Sequence, residues 1–383
     1  MRFLSKIKLV LSSFKELGII GGATGISNLI GALFWLGLAS MIGTEDYGKI
    51  SYYLAIAIIA SRVSLLGSSN TILVYSSKGE KISSSMYLLT LISSGITSLV
   101  MFLVFAFDPS ISVYIIGFVI FTLVTSELLA TKSFKKYAKI LITQKILLVI
   151  LALSLYQFIG INGVILGIGI SFLPYSILIF KVFKNEKMYF SSAKKHWKFI
   201  VNSYALDLST SFNGTLDKII ILPIIGFGLL GNYHLGMQFF SIMTIIPVMF
   251  FQYLLPRDAR LESNYKFRKL LILFSIILAV LGSVVAPNVI PVFFEQFSES
   301  ISVIQIISFA IIPHTIVTIL MSKFLGKEKS VFVLIGSIIF LIVQIPSIII
   351  LGTEMGVSGV ALSLVIAYSI QGLFLAVMSK IKE

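Results

Sequence analysis

Three cations stand inside long apolar stretches of this chain: Arg62, Lys145 and Lys218. A cation in hydrocarbon costs about 2.5–3.5 kcal/mol on insertion scales, so each needs a reason to be there. The chemistry open to them is recognition of an anion, above all a phosphate, through charge-assisted hydrogen bonds. Arg62 lies near the middle of its stretch, too deep to reach an interface easily, and on a helix shares a stripe with Ser51, Ala55 and Ser69. Lys218 lies in the most polar stretch. On a continuous helix Asp207, Ser211, Gly214 and Lys218 share one face there, and Asn213 and Asp217 share another. Asp217 and Lys218 are adjacent in sequence and so do not face one another. Lys145 is nearer the end of its stretch, where snorkelling competes with a lining role and Glu127 offers a partner at comparable depth. Arg62, Lys218 and Lys145 are therefore the candidate substrate-binding residues. Asp217, Asp207, Glu127 and Asn213 are the candidates for coupling or gating.

Other chemistries lack their residues. His196, His234 and His314 fall in separate segments and form neither a metal-site pattern nor a catalytic triad. There is no Cys, hence no thiolate and no disulfide. No Gly-x4-Gly-Lys-Ser/Thr phosphate loop occurs, so the chain is not expected to hydrolyse ATP. The expectation is a protein that is not an enzyme and carries no cofactor, with coupling to protons, sodium or the membrane potential left open.

The elements that must position these residues are membrane spans. The 383 residues are 57% hydrophobic and 12% charged, with a mean hydropathy of +1.02. A soluble domain carries roughly twice that charge. Twelve spans are expected, at 17–42, 49–73, 83–107, 111–131, 139–159, 162–183, 199–225, 229–254, 268–286, 301–322, 330–351 and 356–379. The net charge of +14 would suggest nucleic acid in a soluble protein. Here 26 of the 30 Lys and Arg fall in alternate connections, the bias that orients membrane helices, and no nucleic-acid partner is expected. Lys49 alone lies in the opposite set, among Glu45, Asp46, Asp108, Glu295, Glu299 and Glu354. Both termini are then cytoplasmic and the protein is a multi-pass protein of the inner (cytoplasmic) cell membrane. Residues 1–16 read as a short interfacial helix. Gly18, Gly21, Gly22 and Gly25 crowd the first span at a spacing that permits close helix packing or bending.

An internal repeat divides the chain. Gly43-x4-Gly48 follows the first span and Gly226-x4-Gly231 follows the seventh, 183 residues later. Gly160-x2-Gly163-Val164 precedes the sixth span and Gly356-x2-Gly359-Val360 the twelfth, 196 residues later. Two six-helix lobes in parallel orientation follow, an N-lobe over 1–185 and a C-lobe over 199–383, joined by the polar linker 186–198. Arg62 and Lys218 fall in different lobes, so both could meet one anion.

On Gly43-x4-Gly48, Asp217-Lys218, Gly226-x4-Gly231-x-Tyr233 and Pro256 closing the eighth span, the whole chain resembles the polysaccharide (O-antigen, Wzx-type) flippases of the multidrug/oligosaccharidyl-lipid/polysaccharide (MOP) exporter superfamily. The resemblance implies a MATE-like, all-α membrane fold, a V-shaped pair of lobes around a cationic central cavity. It implies alternating-access movement of a polyprenyl-diphosphate-linked oligosaccharide to the outer leaflet, for O-antigen or lipopolysaccharide assembly. The implied partners are that lipid-linked oligosaccharide, membrane lipids and other glycan-assembly proteins. Two readings from the same superfamily stay open. A multidrug cation antiporter is opposed by Arg62 and by a first span without acidic residues; a lipid II flippase usually has fourteen spans. A membrane glycosyltransferase or glycan polymerase would need sizeable outer loops, which these short connections do not provide.

Overall fold

The computed structural model describes residues 2–106, 108–185, 190–212, 214–259, 265–327 and 329–381. Among these the chain is helical, with no strand. The helices are α1 (Arg2–Met41), α2 (Thr44–Ser64), α3 (Ser68–Ser77), α4 (Ser83–Val104), α5 (Pro109–Ala130), α6 (Phe134–Phe172), α7 (Ser176–Asn185), α8 (Phe190–Lys195), α9 (Trp197–Phe212), α10 (Leu216–Ala259), α11 (Tyr265–Phe293), α12 (Ser300–Gly326) and α13 (Ser330–Ile381). Among the described residues, eight helices are long and apolar enough to cross a membrane, and α2 with α3, bent by 45° at a short break, makes a ninth. The chain is a multi-pass membrane protein.

The packing is that of a protein in lipid. Along α4 the buried residues are mostly small and polar, Ser83, Ser84, Ser85, Thr90, Ser94 and Ser98, with Met86 and Tyr87 among them. Its bulky residues Ile92, Ile96, Leu99 and Leu103 point outward. Hydrocarbon solvates Leu as well as a protein core does, so helices in a bilayer associate through close approach and hydrogen bonds. Ser98 and Ser112 accordingly bond each other's carbonyls across α4 and α5, at 3.0 and 2.8 Å.

One of the two glycine repeats seen in the sequence has matching geometry. Long helices α6 and α13 are each interrupted at a glycine of nearly identical conformation, Gly160 (φ +62°, ψ −139°) and Gly356 (φ +59°, ψ −139°). Both lie at left-handed φ, which glycine reaches without steric cost. The second glycine of each motif then packs on the preceding segment. A Cβ on Gly163 would stand 2.2 Å from the Leu155 carbonyl oxygen, and one on Gly359 1.9 Å from that of Leu351. Helix α10 is interrupted in the same manner at Gly226 (φ +76°).

The chain divides into two compact units, Met1–Gly31 with Ile56–Ser211, and Ala32–Ala55 with Phe212–Glu383. The first is built on α3 to α7 around Leu65, Met86, Tyr87, Val119 and Leu123. In the second, α12 packs on α10, α11 and α13 around Tyr233, Ile307, Ile311, Phe340 and Val360. The start of α2 crosses α10 in this unit, and the crossing needs glycine on both sides. A Cβ on Gly48 would meet the Phe227 carbonyl oxygen at 1.9 Å, and one on Gly231 that of Thr44 at 2.0 Å.

Three expectations change. Helix α1 is continuous from Arg2, so residues 2–16 extend the first span's helix instead of forming a separate one. Gly18, Gly22 and Gly25 have no described atom within 4 Å of where a Cβ would be, so of close packing and bending, the two uses expected of them, close packing is not seen there. Lys49 lies in the first turns of α2 and pairs with Glu45 at 2.7 Å, which locally neutralises the one cation out of pattern.

Candidate functional site

The second span, expected as one helix, is broken in the first unit. Helix α2 ends at Ser64, Leu66 (φ +50°) and Gly67 (φ +70°) turn the chain, and α3 leaves at 45°. A Cβ on Gly67 would lie 2.6 Å from the Ile200 carbonyl oxygen and 2.8 Å from the Tyr204 nitrogen, so the turn seats directly on α9. Arg62 falls in the last turn of α2, where the helix dipole favours a cation. Its guanidinium stands over the Phe118 ring at 5.1 Å, and its Nε is buried without a hydrogen-bond partner. Ser69 Oγ and Asn70 Nδ2, in the first turn of α3, donate to the carboxylate of Asp207 on α9 at 3.1 and 2.7 Å. That end of a helix favours an anion. The break thus removes Ser69 from the Arg62 stripe and gives it to Asp207.

The stretch expected as the seventh span is interrupted too. Helix α9 stops at Phe212, Gly214 (φ +76°) turns, and α10 starts at Leu216. Asp217, 3% exposed, lies in the first turn of α10. One carboxylate oxygen accepts from the Lys218 backbone N–H at 2.9 Å, and the other accepts from Tyr233 O–H at 2.9 Å. Lys218 Nζ donates to the Gly214 carbonyl in the turn, at 3.0 Å. Asp207 and Lys218, expected on one helical face, are therefore on different helices either side of the break. Asn213 lies outside the described residues.

Lys145 and Glu127 are not joined. Glu127 Oε2 accepts from Ser83 Oγ at 2.5 Å, and Ser83 is bonded to Ser76 at 2.7 Å. Lys145, half-buried on α6, brings its Nζ to 3.8 Å from where a Gly31 Cβ would be, against α1. The expected pairing of Lys145 with Glu127 is replaced by these contacts. Outside the spans His196 Nε2 stands 2.8 Å from Glu80 Oε2, and its ring stacks on Tyr75 at 3.8 Å. The hydrogen bond from His196 holds the Glu80 carboxyl below its ordinary value.

Among the described residues, neither Arg62 nor Lys218 has a carboxylate within ion-pair distance. Asp207 accepts instead from a hydroxyl and an amide, and Asp217 from a phenol and a backbone N–H. Each break thus places a cation beside a helix end. Asn70, Phe118 and the two breaks were not legible as site features. Leu66-Gly67 and Asn213-Gly214 were their only sequence signal.

No family model matches the chain, and no curated protein matches it. Solved structures do. Over 94% of this chain and 87% of its own length, the lipid II flippase MurJ in an inward closed conformation superposes with a TM-score of 0.76 at 18% identity. A multidrug resistance MATE family transporter in an inward-facing conformation covers 94% of each chain, with a TM-score of 0.74 at 14% identity. A MOP superfamily transporter from Pyrococcus furiosus, with a binding pocket of reverse polarity that suggests a different function, covers 96% of this chain and 95% of its own, with a TM-score of 0.68 at 14% identity. The chain has the fold of MOP superfamily transporters.

Proposed function

We propose that this protein is a flippase for a polyprenyl-diphosphate-linked oligosaccharide, moved from the cytoplasmic to the outer leaflet for surface polysaccharide assembly. The observation that carries this reading is the pair of cations in apolar stretches, Arg62 and Lys218, each beside a break and neither within ion-pair distance of a carboxylate among the described residues. Broken spans in transporters expose backbone groups and helix ends to cargo. A diphosphate offers these cations charge-assisted hydrogen bonds, and the lipid tail can stay in the bilayer. A cationic drug, the cargo of a multidrug antiporter, would be repelled by both.

The reading includes twelve spans in two six-helix lobes, 1–185 and 199–383, with both termini cytoplasmic in the inner membrane. Nine apolar helices, with α6, α10 and α13 each interrupted at a glycine, support that count. Asp207 and Asp217 are the ionisable groups suited to coupling by protons or sodium. An inside-negative potential alone favours outward movement of the anion by about 2.3 kcal/mol per charge per 100 mV. Lys145 is the third candidate contact for the diphosphate. Likeness to the lipid II flippase favours a second cargo of the same chemical class, since lipid II is also a polyprenyl-diphosphate glycan.

Arg62→Gln or Lys218→Gln should abolish surface glycan at unchanged protein level in the membrane. Normal glycan export in both variants contradicts the role assigned to these residues.

A further inference from the structure

The two units tie their helix ends with polar clusters at corresponding positions. In the first, Ser76, Ser83 and Glu127 link α3, α4 and α5. In the second, Asp258 on α10 pairs with Arg268 on α11 and accepts from Ser322 of α12 at 2.6 Å. Asp258, Arg268 and Ser322 follow Ser76, Ser83 and Glu127 by 182, 185 and 195 residues, close to the offsets of the glycine repeats. The carboxylate has moved from one helix to another, and among the described residues no counter-ion has followed it. Where the second unit has Arg268, the first has Ser83, so Glu127 receives a hydroxyl in place of a guanidinium.

A cavity of about 140 Å³ opens beside Glu127. Tyr87, Val124, Leu128, Leu178 and Val182 line it, together with Lys136, which is exposed. Among the described residues no ion pair joins Lys136 to Glu127. Glu127 lies three residues before the end of α5, about 5 Å below it at 1.5 Å per residue. The cavity therefore presents a carboxylate that no described residue ion-pairs, a cation nearer the surface, and apolar walls, all near the Lys-rich end of a span.

We propose that this cavity binds a zwitterionic phospholipid by its phosphoethanolamine head. The primary ammonium bonds Glu127, the phosphate meets Lys136, and the first methylenes lie along Leu178 and Val182. A primary ammonium has three N–H donors for the carboxylate, whereas the methylated ammonium of a choline head has none. The site is separate from the cations proposed to hold cargo and does not depend on what they carry.

Native mass spectrometry of the purified full-length protein, titrated with dioleoyl phosphatidylethanolamine, phosphatidylcholine or phosphatidylglycerol, tests the site. The ethanolamine lipid should be retained about tenfold better than the other two, the worth of one charge-assisted hydrogen bond. Glu127→Gln should erase that preference. Val182→Trp, which fills the cavity and leaves Glu127 intact, should erase it as well, and decides the question if Glu127→Gln does not fold. Free phosphoethanolamine should not compete at equal concentration, because it lacks the acyl chain; competition by it would show a soluble ligand instead. Equal retention of the three lipids, or a preference surviving Val182→Trp, overturns the proposal.

Discussion

Two apolar stretches break alike and arrange charge around the break differently. In the first, Arg62 comes before the break, at the C-terminal end of α2, and Asp207 approaches the start of α3 from another helix. In the second, Asp217 and Lys218 both follow the break at the start of α10. A cation is favoured at the C-terminal end of a helix and disfavoured at the N-terminal end, by about 0.3–1 kcal/mol. Arg62 therefore stands at its natural end, and Lys218 does not. Lys218 compensates by bonding the Gly214 carbonyl, while Asp217 supplies the anion that the helix start favours and anchors to Tyr233. What the two breaks share, among the described residues, is a cation with no carboxylate within ion-pair distance. On the proposed reading, their difference makes Lys218 the more dependent of the two on an anionic ligand.

The largest effect that can break this comparison is loss of either cation. One charge-assisted bond to phosphate is worth about 1.5–3 kcal/mol, or roughly ten- to hundredfold in affinity. Purified Lys218→Gln and Arg62→Gln should each bind a polyprenyl diphosphate that much more weakly, with the larger loss in Lys218→Gln. A loss confined to one of them would reduce the pair to a single site.

The crossing of α2 and α10 comes next. Gly231→Val puts a Cβ where the Thr44 carbonyl oxygen would be only 2.0 Å away, and that neighbour is backbone. The helices must separate, and thermal unfolding of the purified variant should fall by several degrees or more, an overpacking cost of about 1–3 kcal/mol. An unchanged midpoint would show that the crossing is not held in solution.

The two polar clusters give a graded contrast. Arg268→Met leaves Asp258 buried without its cation and should cost roughly 3 kcal/mol, the low end for a buried pair because Arg268 keeps 22% of its side chain exposed. Ser83→Ala in the first unit removes a hydroxyl from Glu127 and should cost only about 1 kcal/mol. Equal losses in unfolding experiments would deny that the clusters differ in charge.

The smallest effect concerns Glu80 and His196. A carboxyl whose value is lowered on folding contributes stability above its unfolded value, and that stability is lost as pH falls through the folded one. Backbone hydrogen exchange at the start of α9 should thus speed up only once pH drops below the ordinary Glu value of 4.5, and Glu80→Gln should show the faster exchange already at neutral pH. Protection unaltered by Glu80→Gln would remove this contact from the account.

Much of this was legible because bilayers impose simple rules. Apolar length and the Lys/Arg bias marked the spans, and the paired glycine motifs marked repeated turns that recur with nearly equal dihedrals at Gly160 and Gly356. Arg62 and Lys218 stood out by their cost in hydrocarbon. Facial arguments failed where a helix was assumed to continue. Gly67 and Gly214 each sit in a stretch whose hydropathy hides the break, so Ser69 and Asp207 were assigned to the wrong neighbours. Asp258 escaped notice because its partners come from two other helices, and no spacing rule brings Arg268 and Ser322 to it.

The central claim is that Arg62 and Lys218 hold the diphosphate of a lipid-linked cargo. The most direct measurement is leaflet exchange of a fluorescent polyprenyl-diphosphate oligosaccharide in proteoliposomes, compared with its uncharged alcohol-linked analogue. The account predicts that the native protein moves the diphosphate and not the neutral analogue, and that Arg62→Gln and Lys218→Gln lose this activity. Equal movement of charged and neutral cargo, or undiminished movement by both variants, would contradict it.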